Sequence, residues 1–171
     1  MKNKLIYLGV ILGVVVACKK ETVTPTQPTA QVTVNGKTLN TSETTPSDSG
    51  QFVTLYYDTL KNLMSLNIKD GKTKDDVVLL VYTDVSLNNV KTKLNVPQKY
   101  EAYYNSGTDT VNLMNKKVSG DLNISELILE KKKVKSFSGD FSFTQTSKDV
   151  YDSVHVHKIE GAKIIGMKQT E

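Results

Sequence analysis

From about residue 30 onward, apolar residues recur at every second position. No stretch carries the three-and-four spacing of a helical stripe. Gln31 to Val34 runs into Asn35-Gly36, a dipeptide that accepts the positive φ angles of a type I′ turn. Phe52 to Tyr57 and Leu63 to Ile68 form a predicted hairpin, and Met64, Leu66 and Ile68 share one of its faces. Asp70-Gly71 marks the next turn. Val77 to Val85 is apolar on both faces and rich in Val, which predicts a central, covered strand. Tyr100 to Asn105 and Thr110 to Met114 flank a turn at Ser106-Gly107. Val118, Gly120, Leu122 and Ile124 share one parity, whereas Leu127 and Leu129 take the other. That slip predicts a bulge or break near Ser125 or Glu126. Phe137, Gly139, Phe141 and Phe143 share a parity, so this strand is expected at the heart of the core. Near the end, Val154 and Val156 are read as inward-facing, which turns His155 and His157 to solvent. Turns every 8–15 residues or so fit an all-β antiparallel sandwich or flattened barrel of about nine or ten strands.

The first eighteen residues follow a different rule. Lys2 and Lys4 precede an uncharged apolar run, Leu5 to Ala17, and Cys18 follows at once. That run is shorter than the roughly 20 residues needed to cross a bilayer, and it reads as a signal peptide. Val15-Val16-Ala17-Cys18 resembles the lipobox of bacterial lipoproteins. The resemblance implies cleavage before Cys18, diacylglycerol on its thiol and an acylated amino group, with palmitate among the chains. Several acyl chains make a stable anchor where one alone is marginal. Residues 1–17 are therefore expected to be removed. Cys18 and the Thr/Pro/Gln-rich stretch to residue 29 form the lipidated tether, and 30–171 the sandwich domain. Asn40 to Gly50 has similar composition and is read as a long mobile loop between strands. The expected location is the cell envelope, on an outer membrane, with the periplasmic and surface faces both open.

Composition narrows the functions. A chain of this length buries a core without covalent staples, and the single Cys leaves no disulfide within it. All 22 basic residues are Lys, and losing Lys2 and Lys4 takes the formal charge from +4 to +2. This balance, with no Arg to read guanine or phosphate, argues against a nucleic-acid partner. Lys131-Lys132-Lys133 with Lys135 is read as a solvated turn.

A second resemblance joins the two ends of the chain. Val134-x-x-Phe137-Ser138-Gly139-Asp140-Phe141-Ser142-Phe143, then Val154-x-Val156-x-x-Ile159-x-Gly161, resembles small Bacteroidota lipoproteins of unknown function. Members of that group also begin with a lipobox, a tether and a strand ending in Asn-Gly. The resemblance implies an extracytoplasmic β domain and names no chemistry.

Candidate sites are few. His155 and His157 lie at i and i+2 and can offer two imidazoles to zinc, but no third ligand is evident, so no metal and no cofactor is expected. Asp70, Asp75 and Asp76 surround a glycine, yet Lys72 and Lys74 lie among them, which favours a plain hairpin turn over a calcium loop. Tyr100, Tyr103 and Tyr104 form a candidate platform for a sugar or protein, with Tyr100 and Tyr104 on one face and Tyr103 on the other. Thr59, Thr110 and Ser153 fit the Asp-Ser/Thr-apolar pattern of O-glycosylation in Bacteroidota. No nucleophile elbow, phosphate loop or zinc-protease motif is present, so no catalytic residue is assigned. The expected function is a non-catalytic, membrane-anchored binding or accessory domain with a protein or glycan partner. The alternative is a lipocalin-like barrel holding a small apolar ligand. An enzyme acting on glycans or peptidoglycan ranks third.

Overall fold

The computed structural model describes residues 27–107, 114–148, 151 and 153–169. Cys18, its leader and most of the tether lie outside them, as do Thr110 and Asp152. Among the described residues there is no helix. Ten strands follow one another: β1 Thr29–Val34, β2 Lys37–Thr41, β3 Gln51–Asp58, β4 Leu63–Asp70, β5 Asp76–Tyr82, β6 Leu87–Lys93, β7 Tyr100–Asn105, β8 Met114–Glu130, β9 Lys133–Lys148 and β10 Val154–Met167. They form two antiparallel sheets, one ordered β2-β1-β10-β9-β8-β6 and the other β3-β4-β5-β7. The all-β sandwich expected from the sequence is what forms.

The turn chemistry explains the hairpins. Asn35 and Gly36 have φ of 48° and 82°, as a type I′ turn requires, and β1 pairs with β2 across them. In the β4–β5 hairpin, Asp70 Oδ1 accepts the backbone N–H groups of Lys72 and Thr73 at 3.0 and 3.2 Å. The 42–50 segment is a loop, tied down by hydrogen bonds from Val53 N to Glu43 O and from Gly71 N to Gly50 O.

Alternation then sets the core. Met64, Leu66 and Ile68 of β4 are buried, and they pack with Val77, Leu79 and Val81 of β5. Phe137, Phe141 and Phe143 are buried from β9, as their shared parity predicts. The expected slip in β8 is present too: the β8–β9 register shifts between Ile124 and Glu126, and Leu127 is buried beyond it. The expected strand over Val77 to Val85 is shorter than its apolar run, because β5 stops at Tyr82. Its outward Val78 is covered, but Leu80 and Tyr82 are only half-buried.

One reading is corrected. Val154 and Val156 face outward, 59% and 52% exposed, and His155 and His157 are the half-buried, inward residues. The cause lies downstream. Against β9, the β10 register shifts twice, between Ile159 and Ala162 and between Ile164 and Met167. Each shift contains a left-handed glycine, Gly161 (φ 57°) and Gly166 (φ 58°), where a side chain would be strained. The inward line therefore runs Met167, Ile164, Ala162, Ile159, His157, His155. The buried Ile159, not the valines, sets the phase.

Candidate functional site

The end of the sandwich holding the β1–β2 turn is polar inside. His157 stands between Asn35 and Tyr104: Asn35 Nδ2 lies 3.2 Å from its Nδ1, and the rings of His157 and Tyr104 are 4.8 Å apart, tilted by 54°. Asn35 also holds β10 through its Oδ1, which accepts Lys158 N–H at 2.8 Å. Gln145 and Ser147 follow inward on β9, both buried. His157 is thus built into packing, His155 is half-buried one step along the strand, and among the described residues no three His, Cys, Asp or Glu side chains converge as metal ligands.

The acidic hairpin frames a cleft of about 540 Å³ lined by Asp48, Phe52, Lys69, Asp75, Asp76 and Asn105. Two of its carboxylates, Asp70 and Asp75, are occupied. Lys37 Nζ lies 3.1 Å from Asp70 Oδ2. Asp75 accepts from Thr73 Oγ1 at 2.8 Å, from the Tyr104 hydroxyl at 3.0 Å and from Gly107 N–H at 3.3 Å. Burial pushes the Asp70 carboxyl up, but the Thr73 N–H, the Lys37 ammonium and the Lys72 N–H outweigh it and hold the group below the usual carboxylate range. Asp76 goes the other way. Burial raises it, and Lys69, 3.9 Å from its Oδ2, and the Asn105 side chain offset only part of that. The hairpin turn engages Asp70 and Asp75, whereas Asp76 keeps one buried oxygen, Oδ1, without a hydrogen-bond partner.

The tyrosines divide as their parity requires. Tyr104 is buried, Tyr100 packs at the core margin, and Tyr103 lies on the outer face of the four-stranded sheet. The structure brings other partners to Tyr103 than Tyr100 and Tyr104. Register places Tyr56, Leu80 and Tyr82 on the same outer face, with Glu101 between Tyr82 and Tyr103. Burial and the nearby carboxylates raise the phenols of Tyr82 and Tyr103, so both stay protonated near neutral pH. Lys116 Nζ sits 5.5 Å from the Tyr103 ring centre and donates to Asn105 Oδ1 at 2.7 Å. Tyr56 and Tyr82 were readable from the alternation of β3 and β5, but only once the strand pairing was known.

Between the sheets, apolar side chains fill the space. Phe137, Leu39, Met64, Leu66, Leu79 and Ile124 are among the largest fully buried groups. A cleft of about 550 Å³ beside Lys61, Tyr82, Asp84 and Gln98 is open and polar. The chain matches no protein-family model, and neither a curated protein nor a solved structure is similar enough to count as a relative.

Proposed function

We propose that this chain is a lipid-anchored envelope protein, held through Cys18, whose β-sandwich binds a partner rather than catalysing a reaction. One observation carries the reading: a basic start, an uncharged apolar run and Ala17-Cys18 precede a chain with no other cysteine. The domain beyond Thr29 supports it. The described residues close an apolar core with no disulfide among them. In the acidic cleft the Asp70 and Asp75 carboxylates are held by hydrogen bonds within and beside the turn, and no His side chain lines the cleft with them. The partner, a protein or a glycan, meets the outer face of the four-stranded sheet, which carries Tyr56, Tyr82, Tyr103 and the Glu101 carboxylate. An apolar ligand inside a barrel is disfavoured by the filled space between the sheets.

Labelling cells with a palmitate analogue tests the reading. The wild type should carry label and fractionate with the outer membrane, and Cys18→Ser should lose both. Label retained by Cys18→Ser would end it.

A further inference from the structure

The chain enters the sandwich at a definite end. Thr29 pairs with Ile165, Met167 with Phe137, Phe137 with Leu127 and Leu127 with Leu87, so β1 starts close to the level of the start of β6, at the end of the sheet from which the β8–β9 hairpin projects further. Thr83 N–H donates to Asn62 O at 2.7 Å, and Leu129 N–H donates to Ser86 Oγ at 2.9 Å. These bonds bring the β3–β4 tip and the β5–β6 connection to the same end. Ten residues, 19–28, separate Cys18 from Thr29 and span at most about 35 Å.

This end exposes apolar side chains beside lysines, as the opposite end does with Val154 beside Lys117 and Lys148; what sets it apart is the entry of the chain at Thr29. Leu60, at the β3–β4 tip, is 95% exposed and Val85 58% exposed. The same end carries Lys61, Lys131, Lys132, Lys133, Lys135 and Lys168. Among the described residues the carboxylates at this end include Asp58, Asp84 and Glu130. Asp58 is 3.8 Å from Lys61, and Glu130 is 2.6 Å from Lys135. Among the described residues Lys131, Lys132, Lys133 and Lys168 have no salt bridge, and Lys131, Lys133 and Lys168 line one cleft of about 440 Å³.

The β8–β9 turn itself is unusual. Glu130 pairs with Lys133, so Lys131 and Lys132 form a two-residue turn, with φ of 52° and 61°. Asn35-Gly36 solves the same geometry with the residues that suit it. Here two side chains accept a left-handed backbone, and the gain is positive charge at the hairpin tip.

We propose that this end rests on the bilayer to which the chain is anchored. The lysines meet anionic headgroups, and Leu60 and Val85 enter the interfacial layer. The inference rests on the reading of Cys18 as the anchor, because the short tether is what keeps this end at the lipid. The tyrosine face then stands roughly upright from the membrane, open to a partner.

The chain from position 18 onward, carrying Cys18→Ser and so unacylated, separates the patch from the anchor. It should cosediment with phosphatidylcholine vesicles containing phosphatidylglycerol, release in high salt, and leave pure phosphatidylcholine alone. Lys131→Asn with Lys132→Gly supplies the preferred turn residues, so it should melt no lower. It should nevertheless weaken vesicle binding roughly thirtyfold, about fivefold per lysine. Leu60→Ser should weaken it further. Equal binding to both vesicle types, no binding to either, self-association without vesicle binding, or an unaffected turn variant would overturn the inference. If Cys18 proves unacylated in cells, the anchor reading fails. If it is acylated and the turn variant binds like its parent, only the bilayer contact fails.

Discussion

The side-chain amide of Gln145 bonds both backbone groups of Tyr104 across the gap between the sheets. Its Oε1 accepts the Tyr104 N–H and its Nε2 donates to the Tyr104 carbonyl, each at 2.9 Å. β7 is an edge strand, so these groups point away from its only partner, β5. Gln145 completes the ladder where a neighbouring strand would have done so. Replacing it by Leu keeps the volume and leaves two buried backbone groups unpaired, a cost of about 2–4 kcal/mol. Urea unfolding of Gln145→Leu should show that loss, and a change under about 0.5 kcal/mol would show that the bridge is not structural.

The phase of β10 yields a second prediction. Val156 faces solvent and Ile159 the core, so Val156→Lys should change stability by no more than about 0.5 kcal/mol. Ile159→Ala should cost about 2–4 kcal/mol through the cavity it leaves. The reverse order in chemical denaturation would restore the valines to the interior.

Asp70 and Asp76 should respond to pH with opposite signs. The folded Asp70 carboxyl lies below its unfolded value. Its contribution is therefore complete above the ordinary carboxylate range near pH 4 and fades as pH falls through the folded value. Asp70→Asn should lose stability at pH 7 and show a flatter acid limb. Asp76 is raised, so its contribution is complete below the ordinary range and fades as pH rises through the folded value. Asp76→Asn should match or exceed the wild type at pH 7, with the difference shrinking toward pH 3. Urea midpoints at several pH values check both signs.

Local chemistry made part of this fold legible from residues alone. Asn35-Gly36, the slip near Ser125 and the Phe137–Phe143 parity are local features, and each is fixed by its own few residues. The orientation of His155 and His157 is not local. It passes through bulges at Gly161 and Gly166, each of which reverses the side-chain phase, and two valines outbid two histidines in any reading by hydropathy. The tyrosine face depends on pairing among β3, β4, β5 and β7, which alternation within single strands does not specify. The lysine-rich end was visible as a charge run at Lys131–Lys133. Its neighbours Leu60 and Val85, and the nearby start of β1, come from topology.

The intact mass of the mature protein, purified from membranes of its native host, tests the account most directly. The account predicts a chain that begins at Cys18 and carries diacylglyceryl on its sulfur, with or without a further acyl chain on its amino group. A chain that retains Met1, or one that begins at position 18 with an unmodified thiol, would contradict it.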